Sequence, residues 1–275
     1  MTTSTDTTPD GTEQPKSRRR WWIIGALLVL VPVVPIVIAL VVSSSTVKAD
    51  TTSLSSYLPL GPPQINLPKP SFKPLAPGSG TLVALVRHPT DMHSRPGGHV
   101  IARVSRKTSF GSLQALWVVR QSGDWVGVIS PQAGNGHVGW IRTSAAVYVR
   151  VNWAIHVSLH RHQVMVLEGG KVREKYTVAI GRPSAPTPTG RFSVTDRLNT
   201  GDPSGPYGCC ILALSAHSPH AIQGWGGGNR IAIHSTPDTS SIGLPVSHGC
   251  LRLTIPEGRW LLQHIPLGTP TIIRE

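Results

Sequence analysis

Charge is scarce in this chain. Only 14% of the 275 residues are charged, and acidic residues are fewest: 13 against 26 basic, a formal net charge of +13. That balance points to an anionic neighbour, whether nucleic acid, a membrane surface or an acidic wall polymer. The body of the chain has no dense Lys/Arg cluster with interleaved aromatics. This argues against nucleic acid and leaves a generally basic, soluble surface as the plain alternative. Cysteine is scarce too, with 3 residues. None forms a Cys-x-x-Cys pair, and His234, His248 and Cys250 lack zinc-ligand spacing, so a metal site has little support. From residue 149 onward no Ser-x-x-Lys occurs, which excludes the serine chemistry of penicillin-binding proteins.

The stretch from His234 to Arg252 is the most informative. Ile233-His234-Ser235-Thr236 ends an apolar run. A loop follows, and then Ser247-His248-Gly249-Cys250-Leu251-Arg252-Leu253. A free thiol has a pKa of about 8.5 and is only a few per cent thiolate at neutral pH. A neighbouring imidazole can take its proton, so Cys250 and His234 are expected to meet in space. Gly249 permits a tight backbone turn, and N–H groups near Gly249 and Cys250 would suit a developing oxyanion. The plainer readings remain: a single Cys as a small buried hydrophobe, and a single His as a satisfied core or surface residue.

The same residues resemble the signature of the L,D-transpeptidase (YkuD-type) catalytic domain, in which a His precedes a Ser/Thr-His-Gly-Cys block. Val178-Ala179-Ile180-Gly181 followed by Pro186-Thr187-Pro188-Thr189-Gly190-Arg191-Phe192 is similar to that family's strand–Gly–loop passage. The resemblance covers about residues 150 to 275. It implies peptidoglycan stem peptides as substrates, Cys250 as nucleophile, His234 as base, and the carbonyl of Ser235 as the group that orients it. His248 and Ser247 would shape the pocket, beside an oxyanion site at Gly249. Arg252 would hold a substrate carboxylate, with a surface ion pair as the alternative. The family often has Gly where Ser235 stands. No cofactor or metal is called for. The implied reaction cuts a tetrapeptide stem after its diamino acid through a Cys250 thioester and passes the acyl group to an amine, making cell-wall crosslinks. Water as acceptor would make the chain an L,D-carboxypeptidase. A non-catalytic wall-binding protein, or a cysteine protease or amidase, are the other readings.

In chain order, residues 1–20 are polar and end in Lys16-Ser17-Arg18-Arg19-Arg20, a tail expected in the cytoplasm. Trp21 to Val42 carries no charge and is long enough for a bilayer, which needs about 20 residues. Basic residues before the span place everything after Val42 outside, at the membrane and facing the periplasm or cell wall. A cleaved signal peptide is the rival, although its apolar core is normally about 7–15 residues. Residues 43–80 form a proline-rich linker, with Pro59, Pro62, Pro63, Pro68, Pro70, Pro74 and Pro77. It would reach up to roughly 100 Å.

The fold class expected is mostly β. Residues 81–148 show short strands at 81–86, 100–104, 116–120 and 125–129, separated by turn signals, which predicts a small barrel or sandwich. Asn135 to Arg142, with Gly139-Trp140-Ile141, resembles the close of a bacterial SH3-like domain and implies a wall-binding module or a spacer. Residues 149–275 read as a β-rich or β-sandwich catalytic domain, with strands at 153–159, 163–168, 230–234 and 269–274 and one short helix at 256–265. His156, His160 and His162 share one strand–turn unit and are expected to be exposed. Adjacent Cys209 and Cys210 are expected to stay reduced, since a bond between neighbours would strain the chain.

Overall fold

Runs of β-branched and aromatic residues between turn signals become strands here because each finds a hydrogen-bonded neighbour. The computed structural model describes residues 78–220 and 224–275. The expected tail (1–20), membrane span (21–42) and all but the end of the linker (43–80) lie outside the described residues. Among the described residues no helix is long and apolar enough to cross a membrane.

The first sheet has seven strands: β1 (Thr81–Val86), β2 (Thr90–His93), β3 (Val100–Val104), β4 (Ala115–Ser122), β5 (Trp125–Ile129), β6 (Gly139–Arg142) and β7 (Ala146–Val151). Their order is β3-β2-β6-β5-β4-β1-β7, with every pairing antiparallel. β5 lies in the middle and is buried along its whole length. Its core gathers Ala84, Met92, Leu116, Val126, Val128 and Ile141. β7 carries this sheet to Val151, three residues past the boundary expected at 148.

The second sheet is built from β8 (Trp153–Ser158), β9 (Gln163–Glu168), β10 (Lys171–Thr177), β12 (Gly190–Asn199), β13 (Cys210–His217), β14 (Arg230–Ser235), β16 (Leu251–Leu253) and β17 (Pro270–Arg274). Two short strands, β11 (Ile180–Gly181) and β15 (Pro245–Ser247), pair separately and in parallel. The eight-stranded order is β10-β9-β8-β17-β12-β13-β14-β16. β12 is its corner. Gly190–Ser193 pair with β17, and Val194–Asn199 pair with β13 across a register shift. A strand that changes partner part-way bends a sheet. Both halves accordingly share one core, in which Ile155, Val164 and Val166 meet Leu212, Leu214, Ile231 and Ile233.

Helix α1 (Ile255–His264) lies one residue earlier than expected. Glu257 accepts from the Thr254 backbone N–H (2.9 Å) and hydroxyl (2.7 Å), a capping arrangement that satisfies donors at the helix start. Leu261 is fully buried against the shared core.

The two sheets touch through the long β3–β4 loop and the β5–β6 connection. From the first, Thr108 donates to Asp196 and Phe110 stacks on Trp225 at 5.4 Å between ring centres; from the second, Asn135 bonds both backbone groups of His217.

Candidate active site

β14 and β16 run parallel, with Ile233 opposite Leu251 and His234 opposite Arg252. The chain leaves β14 after Ser235, crosses over through β15, and returns to begin β16 just after Cys250. The nucleophile candidate thus sits one step before a strand whose neighbour carries the base candidate. Pairing in this register is what brings residues distant in sequence to one place.

His234, Ser247, His248, Cys250 and Arg252 line one cleft of about 80 Å³, together with Pro206 and Tyr207. Ser235 and Gly249 are buried and do not line it. His248 is exposed, whereas His234 and Cys250 are nearly closed off, at 3% and 5% exposure.

The His234 ring is fixed on one side. Its Nδ1 lies 2.8 Å from the Ser235 carbonyl. A carbonyl can only accept, so Nδ1 carries the proton and Nε2 is left as the acceptor. Burial lowers the imidazole pKa most, the hydrogen bond to the Ser235 carbonyl raises it in part, and Arg252 adds a smaller lowering, which together leave it at about 4. The ring is therefore neutral near pH 7 and ready to receive a proton. Tyr207 covers it, with ring centres 4.9 Å apart. The Tyr207 hydroxyl accepts from the Gly224 N–H at 2.8 Å, and burial raises its pKa.

Cys250 Sγ accepts from the Ala232 backbone N–H at 3.4 Å. A β14 amide is thus aimed at the sulfur, which favours the thiolate. The turn before it is tied internally. Ser247 donates to the Cys250 carbonyl (2.6 Å) and accepts from the Gly249 N–H (3.0 Å). The Gly249 amide, expected to face an oxyanion, is instead engaged inside the turn. Gly249 has φ +112, and a Cβ there would stand 2.9 Å from Ile231 Cδ1. Both facts favour glycine.

Thr187 was not singled out as a site residue, yet it anchors this turn. It is buried, accepts from the Gly181 N–H at 2.9 Å and donates to the Gly249 carbonyl at 2.9 Å. A single hydroxyl thereby ties the β11 strip to the nucleophile turn. Its place in the Thr-Pro-x-Gly passage was the available signal. Nothing in the sequence pointed to the Ala232 amide or to Tyr207. A larger cavity of about 710 Å³ is also lined by Gly181 and Thr187, but no cysteine lines it.

Arg252 lies in the cleft with its Nε buried and without a hydrogen-bond partner in the protein. An ion pair was the alternative for this residue; the ion pairs of the described residues are Arg103–Asp91, Arg173–Glu168 and Arg230–Asp196. Among the described residues no group of three His, Cys, Asp or Glu side chains is placed to hold a metal.

Two expectations need correction. Cys209 and Cys210 form a disulfide, while Cys250 remains a thiol. Gly208, at φ +54, turns the chain just before the pair, and Ser235 Oγ accepts from the Cys210 N–H at 3.2 Å. The same Ser235 hydroxyl lies 3.6 Å from Cys209 Sγ. Serine after the base therefore has a structural task that glycine would not perform. Of the three upstream histidines only His160 is exposed; His156 and His162 are partly buried, and His162 Nδ1 donates to the Gly243 carbonyl.

Residues 152–273 match the L,D-transpeptidase catalytic domain family YkuD. Among curated relatives, "Putative L,D-transpeptidase YkuD" of Bacillus licheniformis is 32% identical over 43% of this chain and 64% of its own length. "Putative L,D-transpeptidase YqjB" of Bacillus subtilis is 30% identical over 43% of this chain and 69% of its own length. Among solved structures, an L,D-transpeptidase from Mycobacterium smegmatis aligns with a TM-score of 0.37 at 18% identity, covering 58% of this chain and 89% of that one.

Proposed function

We propose that this chain, which belongs to the YkuD-type L,D-transpeptidase family, joins peptidoglycan stem peptides through a thioester on Cys250. The observation that carries the reading is that Cys250 and His234 line one cleft, with the acceptor nitrogen of the ring left available.

In the first step the Cys250 proton passes to His234 Nε2, and Sγ attacks the carbonyl of the donor's diamino acid. The tetrahedral intermediate collapses to a thioester. The C–N bond to the terminal D-alanine breaks, and that amine leaves with the proton returned by His234. In the second step the amine of another stem attacks the thioester, gives its proton to His234, and forms the new amide as the thiol is released. Each amide made replaces one broken, so no nucleotide is consumed. The 248–250 backbone is assigned to the oxyanion, with the Gly249 amide excluded while it holds Ser247. Arg252 supplies the guanidinium for a substrate carboxylate, which its buried, unpartnered Nε supports.

The remaining assignments belong to the same reading. The uncharged run 21–42 anchors the chain with its N-terminus in the cytoplasm, and linker 43–80 holds the folded part away from the membrane. The first sheet acts as an SH3-like module that binds or spaces the enzyme in the wall. The net charge of +13 suits anionic wall polymers and the membrane surface rather than nucleic acid.

The test is mass spectrometry after incubation with a carbapenem, followed by product analysis with two stem peptides. A stable adduct on Cys250, absent in Cys250→Ser, and a crosslinked dimer are expected. No adduct would favour a non-catalytic wall-binding protein. Shortened stems without dimer would make the chain an L,D-carboxypeptidase.

A further inference from the structure

A second cleft, of about 420 Å³, lies where the β3–β4 loop of the first sheet meets β13 and β14 of the second. Lys107, Thr108 and Ser109 line it from one side, His217 and Arg230 from the other. No acidic side chain lines it. Arg230 is the deepest charge, with its side chain 10% exposed. One end of its guanidinium is used: Nη1 donates to Asp196 Oδ2 and to Thr195 Oγ1, both at 3.0 Å. The other end is not. Nη2 is buried and has no hydrogen-bond partner in the protein. Phe110 and Trp225, stacked on each other, both lie beside the guanidinium, with ring centres 5.3 and 5.5 Å from its central carbon.

His217 presents the complementary case. Its Nδ1 lies 2.7 Å from Asn229 Oδ1, so Nδ1 is the protonated nitrogen. Nε2 is then an acceptor in the neutral ring, and it too is buried without a partner. Buried polar atoms in folded proteins are nearly always paired. Here one unpaired donor on a fixed cation and one unpaired acceptor belong to residues that line the same cleft, beside a lysine.

The geometry points to a binding site for a polyol phosphate: an anionic phosphoryl oxygen received by Arg230 Nη2 and Lys107, and a nearby hydroxyl donated to His217 Nε2. An anion without an O–H offers no donor to His217 Nε2, and a neutral polyol offers no charge to the guanidinium. A ligand with both groups satisfies both atoms. The site is made jointly by the two sheets, so it exists only when they are docked. It does not rest on the chemistry of Cys250.

The experiment is an NMR titration of the full chain in detergent, following the His217 ring and Trp225 indole signals. The probes are glycerol 3-phosphate, inorganic phosphate, glycerol and glucuronate. Glycerol 3-phosphate is expected to bind at least ten-fold more tightly than phosphate or glycerol. His217→Phe should remove its advantage over phosphate, and Lys107→Ala should weaken both phosphates together. Arg230→Lys should abolish binding; because Arg230 also holds Asp196, the first two variants decide the matter if that one fails to fold. Equal affinity for phosphate and glycerol 3-phosphate, tighter binding of glucuronate, or shifts unchanged by both His217→Phe and Lys107→Ala would overturn the assignment.

Discussion

His234 faces Arg252 across two parallel strands, so a buried imidazole has a guanidinium as its nearest cross-strand neighbour. Burial is the larger influence and the cation adds to it, both disfavouring the protonated ring. The arrangement keeps the ring a base in the resting protein. When a thiolate forms beside it, that negative charge offsets the cation, so the imidazolium becomes tolerable at the moment it is needed.

Stability should therefore depend on pH through His234. In the unfolded chain its pKa is 6.5, and in the folded chain about 4. Between these values the unfolded chain binds a proton that the folded chain refuses. Stability from this group is thus fully present above pH 6.5 and falls as pH drops toward 4, by about 3 kcal/mol over the full span. Urea unfolding at pH 7 and pH 4.5 should show a larger loss for the parent than for His234→Gln. Equal losses would mean that the ring is not buried neutral.

Removing the base should slow acylation without preventing binding. For His234→Gln a fall of roughly 10²- to 10⁴-fold in the rate of carbapenem adduct formation is expected, the usual range for losing a positioned general base. A rate unchanged within a factor of two would assign proton removal to another group.

Thr187 makes a separable prediction. Thr187→Val leaves the Gly181 N–H and the Gly249 carbonyl without their shared partner, which should destabilise the fold by about 1–3 kcal/mol. It should also slow acylation, because the nucleophile turn loses its tether. Thr187→Ser keeps the hydroxyl and should restore both quantities. Rescue of stability without rescue of rate would show that the tether does not position Cys250.

At Gly249 the backbone and the neighbouring side chain both resist substitution. Gly249→Ala places a Cβ at φ +112 and 2.9 Å from Ile231, with a penalty of about 1–3 kcal/mol. Thermal unfolding should register it, and the acylation rate should drop with it. Ile231→Val in the same background should recover part of the stability by opening room.

Asp196 neutralises Arg230 and accepts from Thr108 while fully buried. Asp196→Asn strands a buried cation and should destabilise by about 3–5 kcal/mol. Thr108→Ala removes two hydrogen bonds, one to Asp196 and one from the Phe110 N–H, but strands no charge, and should lie at about 1–2 kcal/mol. Chemical denaturation of both variants checks the ranking.

Much of the β architecture was legible because its strands carry local signals. β1, β3, β5 and β9 begin and end where β-branched runs meet Gly, Pro or polar turns. β13 was not legible, since Cys210–Ala216 is buried on both faces and shows no alternation. β12 was hidden differently: it serves two partners, and partner changes leave no periodic mark. At the site, Cys250 and His234 stood out because their residue types are scarce and chemically suggestive. The Ala232 amide and Tyr207 did not, because a backbone N–H looks the same everywhere and one aromatic in a Gly/Pro turn has many meanings. The Cys209–Cys210 bond was misread from adjacency alone. The sequence shows two neighbouring thiols but not the Gly208 turn and the Ser235 hydroxyl that hold their backbone.

The crossover from β14 to β16 frees one length and fixes another. Strand pairing, rather than the number of residues between His234 and Ser247, sets where base and nucleophile meet. The outer arc around Asp238–Ser241 can therefore lengthen or shorten among related chains without disturbing the reaction centre. The interval from Ser247 to Cys250 has no such latitude, because Ser247, Gly249 and Cys250 are bonded to one another or to Thr187. The rim can thus change in length while the interval behind it stays fixed.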